Sequence, residues 1–186
     1  MSPRRTGPIL TLEPLIEAVQ DGVEAAGWAL SGLQKTTSHQ FEGRWAGDAT
    51  RSAYLFFHEP DSEQPASIDV YLDETTRGLG GNLALVVDLR PLAGLPPVAE
   101  TLGRLGALAS AALPEGYRTP VTLRFRLGDG PDDPGSATTE ARFKLRIPTT
   151  ALEAGPAAVS ALASAAVSSY QILLGSDELR RILDPD

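Results

Sequence analysis

The sequence predicts an α+β domain: a mainly antiparallel sheet of five to six strands with helices packed on one face. Three observations predict it. Near both ends of the chain, apolar residues recur at intervals of three and four, as on the buried stripe of a helix. Between those segments lie runs rich in β-branched and aromatic residues, divided by glycine, proline and acidic clusters as strands and turns require. The connections between the runs are short, which favours antiparallel neighbours. The element order reads α-ββββ-α-ββ-α-α over 186 residues, a length that fits one domain.

The first helix spans residues 12–26. Leu12, Leu15, Ile16, Val19 and Val23 form its stripe, and Glu13, Glu17, Asp21 and Glu24 lie off it. Thr11 is placed to cap its start, Pro14 is tolerated in the first turn, and Gly27 can end it. Residues 1–10 are expected as a flexible tail. Strands follow near 38–45, 52–58, 67–73 and 83–90. The last two alternate clearly, with Ile68, Val70 and Leu72 against Asp69, Tyr71 and Asp73, then Leu83, Leu85, Val87 and Leu89 against Ala84, Val86 and Asp88. Gly78, Gly80 and Gly81 lie between these two strands and read as a hairpin turn.

A second helix starts at Pro97, turns Val98, Leu102, Leu105 and Leu108 toward a core, and ends before Pro114 and Gly116. Next, Val121, Leu123, Phe125 and Leu127 alternate with Thr122, Arg124 and Arg126. Phe143, Leu145 and Ile147 then alternate with Arg142, Lys144 and Arg146, so these are two half-buried strands. The loop between them, Gly128 to Thr139, carries Asp129, Asp132 and Asp133 and is expected to be mobile. An alanine-rich helix runs from Gly155-Pro156 to Leu174. Ser176 caps a short last helix that contains Leu179, Ile182 and Leu183 and ends at Pro185. No repeat and no long linker divides the chain, so one domain over 1–186 is expected.

Composition narrows the functions. Without cysteine there is no disulfide framework, no thiolate nucleophile and no zinc site of the common Cys-containing types. Arg4 and Arg5 are followed by no apolar stretch, so neither a secretory nor a twin-arginine signal is expected. No segment is expected to reach the roughly 20 apolar residues that cross a bilayer. The cytosol is the expected location. A formal charge of −8 opposes general attraction to nucleic acid or anionic membrane.

Signatures of catalysis and of cofactor or metal binding are not found. His39 and His58 fall in strands without the spacing that places two ligands on one helix face. The glycines at 78–81 precede no helix and lack the Gly-Lys-Ser/Thr ending of a phosphate cradle. The Asp129, Asp132 and Asp133 loop lacks the alternating ligands and distal glutamate of a calcium-binding EF-hand. No Gly-x-Ser-x-Gly elbow marks a nucleophile. Neither a metal nor a cofactor is expected, and an enzyme has no positive support.

Two surface patterns are unusual. Arg124, Arg126, Arg142, Lys144 and Arg146 share the polar face of the 121–147 hairpin and form a candidate binding surface. Residues 118–148 hold six basic and four acidic residues, net +2, whereas the rest holds 10 basic and 20 acidic, net −10. Like charges across paired strands repel, so an acidic neighbour is expected: either Asp69, Asp73 or Asp88 from an adjacent strand, or an acidic partner. The second pattern is a run of small residues on each later helix: Ala99, Gly103, Gly106 and Ser110, then Ala157, Ala161, Ala165 and Ser169. Glycine in a helix costs about 1 kcal/mol against alanine. Gly103 and Gly106 therefore call for close approach of another backbone, within the chain or across a subunit interface that also includes Ala161 and Ala165.

The order helix, strand meander, helix, two strands, helix over about residues 12–174, with the acidity and size, resembles the secretion-chaperone-like fold of type III secretion chaperones and YbjN-like proteins. The chain differs by four strands before the second helix in place of three and by an added terminal helix. The resemblance implies a non-enzymatic homodimer that holds a segment of another protein and has no catalytic residues. The expectation is thus a chaperone-like or adaptor protein with a protein or peptide partner, no membrane, and nucleic acid disfavoured. The alternative is a small α+β enzyme, or a regulatory module, with an anionic ligand on the arginine-rich face.

Overall fold

The computed structural model describes residues 7–38, 50–63, 65–130 and 133–184. Helix α1 (Leu12–Ala25) is followed by strands β1 (Ala29–Ser38), β2 (Thr50–His58), β3 (Ala66–Thr75) and β4 (Gly78–Leu89). Helix α2 (Val98–Ala112), strands β5 (Thr122–Arg126) and β6 (Thr138–Arg146), and helices α3 (Thr149–Ala154), α4 (Pro156–Leu174) and α5 (Asp177–Leu183) complete the order. The six strands form one antiparallel sheet in the order β1-β2-β3-β4-β6-β5. This is the α+β fold expected, with α3 as an addition.

All five helices contribute to a single core cluster on one face of the sheet, which also takes Leu55 and Phe57 of β2, Ile68 and Leu72 of β3, and Phe143 of β6. Helix α1 crosses β1 to β3, α4 lies on β4 and against α1, and α2 packs on α4 and α5. The α1–α4 approach is close because α1 carries Gly22. A Cβ there would run into the Ser160 carbonyl oxygen and lie 2.8 Å from the Ala163 Cβ. Tyr170 of α4 is fully buried, and its hydroxyl donates to the Leu83 carbonyl at 2.8 Å, which fastens this helix to the sheet. Burial pushes the Tyr170 hydroxyl pKa above its ordinary value.

Several expectations are corrected. The first strand is Ala29–Ser38; of the stretch 38–45 expected for it, residues 39–45 lie outside the described residues. Of the tail 1–10, residues 1–6 lie outside them too. Ile9, however, is buried and donates its amide to Leu152 at 2.8 Å. Thr11 makes no side-chain cap. The first amide of α1, at Leu12, donates instead to Glu74 Oε2 of β3 at 2.7 Å, and Arg51 of β2 bridges Glu74 and Glu13. A long-range carboxylate thus does the work of a local cap.

On α2 the buried positions are Thr101, Leu105 and Ala109, while Val98 and Leu102 are exposed. Strand β5, the last of the sheet, is only partly covered: Leu123 packs half-buried against the core, whereas Phe125 is 45% and Leu127, just past its end, 54% exposed. The loop before β6 is expected to be mobile, yet from Asp133 it is ordered. Asp133 accepts from Gly135, the 3-10 turn Pro134–Ser136 packs on the turn Leu92–Gly94, and Leu92 donates to the Ala137 carbonyl at 3.0 Å. Asp132 lies outside the described residues. The hairpin turn sits at Thr76 and Arg77, with Gly78 at φ +122°, and Gly80 and Gly81 are already strand. Finally, α4 is 19 residues without a charge, of mean hydropathy 1.5, so one helix is long and apolar enough by count to cross a membrane. Its packing against α1 and β4 accounts for that apolarity on one side only.

Candidate functional site: the uncovered face of the sheet

Period-2 alternation gives the sheet a second face that no helix among the described residues covers. β2 contributes Ser52, Tyr54 and Phe56 to it, β3 contributes Asp69, Tyr71 and Asp73, and β4 contributes Ala84, Val86 and Asp88. Tyr54 pairs in register with Tyr71, their ring centroids 5.0 Å apart and tilted by 49°. Phe56 lies across Gly32 of β1, at ordinary contact distance from where a Cβ would stand. Tyr54 and Phe56 are 37% and 38% exposed, so the β2–β3 half of the face is an aromatic surface open to solvent.

The other half is basic. The register Thr122↔Arg142 and Arg124↔Glu140 on β5–β6, and Ala84↔Lys144 and Asn82↔Arg146 on β4–β6, places Arg124, Arg126, Arg142, Lys144 and Arg146 on this face. Arg142 is held internally. It reaches over Val86, its register partner on β4, to Asp69 on β3, with Nη2 3.2 Å from Oδ2, and its Nε meets Glu140 Oε1 at 2.6 Å. That span crosses two strand spacings, roughly 9–10 Å. It accounts for the burial of Val86, which no helix among the described residues protects. Burial raises the Asp69 pKa above its ordinary value, against the lowering effects of Arg142 and of the Ser67 hydroxyl.

Of the three acidic neighbours expected, only Asp69 serves. Asp73 folds back over Gly80, and Asp88 stands opposite Glu140, like beside like. Arg146 donates to the Gly116 carbonyl at 3.3 Å. Arg124, Arg126 and Lys144 have no ion pair among the described residues. Arg124 and Arg126 are exposed and Lys144 is half-buried. The hairpin face is therefore one internally satisfied cation, Arg142, beside four that make no ion pair among the described residues, although Arg124 stands across the ladder from Glu140.

The small residues do not pack within the chain. A Cβ at Gly103 or Gly106 would meet nothing within 4 Å among the described residues, so the close approach expected of them is not made within the chain. Ala161 and Ala165 are exposed on α4. Ala165 borders a groove of about 610 Å³ floored by Leu145 and walled by Leu162 and the end of α2, and Gly106 borders one of about 470 Å³ that includes Leu102 and Val121. The close approach is made instead by Gly22, which is buried on α1 with Ala18 and Val23.

His58 ends β2 and is exposed, and His39 lies outside the described residues. No cluster of three metal-ligating side chains occurs among the described residues. Sequence reasoning missed the aromatic half of the face, although Tyr54 and Phe56 alternate with Ala53, Leu55 and Phe57 and that pattern could have separated the two sets. No protein-family model, curated protein or solved structure matches this chain.

Proposed function

We propose that this protein is a non-enzymatic binding module, chaperone-like or adaptor in kind, that works as a homodimer and holds a segment of another protein on the uncovered face of its sheet. One observation carries the reading: solvent-open aromatic rings lie on the same face as four cations that make no ion pair among the described residues. Aromatic residues and arginine dominate binding energy where proteins meet, because they offer large rigid contact area and planar, directional donors. A polypeptide with apolar and acidic residues can use both halves, whereas the net charge of −8 works against a nucleic-acid backbone. The homodimer draws support from α4, whose exposed side is uncharged along its whole length, and from the open glycines of α2.

The test is to copurify partners from the native host with the wild type and with a Tyr54→Thr/Phe56→Thr variant, which keeps strand-compatible side chains. The wild type should retain a stoichiometric protein partner that the variant loses while its unfolding curve stays cooperative. Retention by both, or by neither, would overturn the reading. Light scattering should give twice the chain mass of 19.6 kDa, and a monomer would remove the dimer. Arg124, Arg126 and Lys144, which make no ion pair among the described residues, also favour a second reading, a regulatory module or small enzyme with an anionic ligand. Thermal stabilisation by inorganic phosphate that disappears in Arg124→Gln would select it.

A further inference from the structure

The sheet ends at β5, and its end is unlike its other edge. On one side β5 is paired with β6 from Thr122↔Arg142 to Arg126↔Thr138, and on the other no strand follows among the described residues. Every second residue of β5 directs its backbone N–H and C=O to that free side, where a further strand could take them up. The side chains of β5 divide by face. Arg124 and Arg126 stand on the uncovered face without ion pairs, and Leu123 and Phe125 stand on the helix face, where cover is incomplete. Leu127 continues the apolar set, and the groove between Leu102 of α2 and Val121 extends it at the other end.

We propose that the free edge of β5 is a strand-addition site for an extended segment, from another protein, that alternates acidic and apolar residues. Main-chain pairing would hold such a segment, its acidic side chains would meet Arg124 and Arg126, and its apolar ones would cover Phe125, Leu127 and the Leu102–Val121 groove. Charge selects the occupant. A second copy pairing edge to edge through β5 would set Arg124 and Arg126 against their own counterparts, and like charges directly opposed destabilise a ladder. Strand β1 of a second copy presents Gln34, Lys35 and Thr36 and no carboxylate. Cations on an edge also serve simply to keep it unpaired, but that role does not call for the exposed Phe125 and Leu127 beside them. The inference rests on the protein-binding reading and adds to the aromatic face a second contact, at the edge, for a separate stretch of the same partner, so that a peptide of one strand's length tests the edge alone.

The experiment uses the full chain and labelled synthetic peptides of about ten residues, long enough to cover one strand. An alternating Glu/Val peptide should raise fluorescence anisotropy with micromolar affinity and weaken as salt rises. A peptide of the same composition in two blocks should bind at least tenfold more weakly. So should the alternating peptide N-methylated along one edge, which cannot form the ladder. Arg124→Gln/Arg126→Gln should cost a similar factor, whereas Tyr54→Thr/Phe56→Thr should cost little. Equal binding of the alternating, blocked and methylated peptides would overturn the inference by showing attraction without strand pairing. So would displacement by single-stranded oligothymidylate at equal charge, or no binding at millimolar peptide. Loss of binding in the Tyr54 and Phe56 variant alone would also overturn the edge, and would move the ligand to the aromatic face with the binding-module reading intact.

Discussion

Arg142 is set between two carboxylates, and its side chain is only 16% exposed. The Asp69 carboxyl titrates above its unfolded value of 3.8 because burial outweighs the attraction of Arg142. A raised carboxyl pKa means that the folded chain binds the proton more tightly than the unfolded one. Its contribution to stability is therefore fully present below the unfolded value and is lost as pH rises through the folded one. Without Arg142, Asp69 and Glu140 would keep their burial and lose their shared cation. Arg142→Gln should thus cost about 1–3 kcal/mol at pH 7, and the deficit should narrow as pH falls into the carboxylate range. Urea denaturation of both proteins at neutral and acid pH measures it, and an equal deficit at both would refute the account. Alternation placed Arg142 on the correct face. Which acid it meets depended on β4 lying between β3 and β6, a pairing that no residue near Arg142 encodes.

Among the elements, α1 was legible because its apolar stripe is narrow and its other positions are acidic, leaving one orientation. Helix α2 was legible only as a helix: leucine, alanine and glycine surround it, so several stripes fit, and its seat against α4 and α5 selects Thr101, Leu105 and Ala109. A strand over Ala29–Ser38 was not legible because that stretch hardly alternates and a register shift interrupts it between Leu30 and Gly32; its state comes from pairing with β2. Glycines show the same limit. Gly22→Ala should destabilise by about 2 kcal/mol or more, since α1 and α4 must part. Gly103→Ala and Gly106→Ala should each stabilise the isolated chain by about 0.5–1 kcal/mol, having open space and a helix to favour. Thermal unfolding of the three variants gives the signs, and destabilisation by all three would mean that α2 is packed against something in solution.

At the scale of the molecule, sequence patterning located the layers and the segregated charge, but not the separation of one face into aromatic and basic halves, which only the strand order creates. That order also separates near from distant partners. Strands β1, β2 and β3 each pair with the next strand in the chain, β3 with β4 through two residues, Thr76 and Arg77, whereas β4 meets β6 only after α2 and β5 have intervened, as in Asn82↔Arg146. Closing a long loop before any contact rewards it slows assembly, so the meander should form early and β6 should dock late. Ile68→Ala in β3 and Leu145→Ala in β6 should each remove about 2–4 kcal/mol. Stopped-flow kinetics should divide that loss differently, the first mainly slowing folding and the second mainly speeding unfolding. The strands that bring the arginines to the sheet would then be the last to arrive and the first to leave. A nascent or stressed chain would show its aromatic half, and the unpaired far edge of β4, before its basic one is in place.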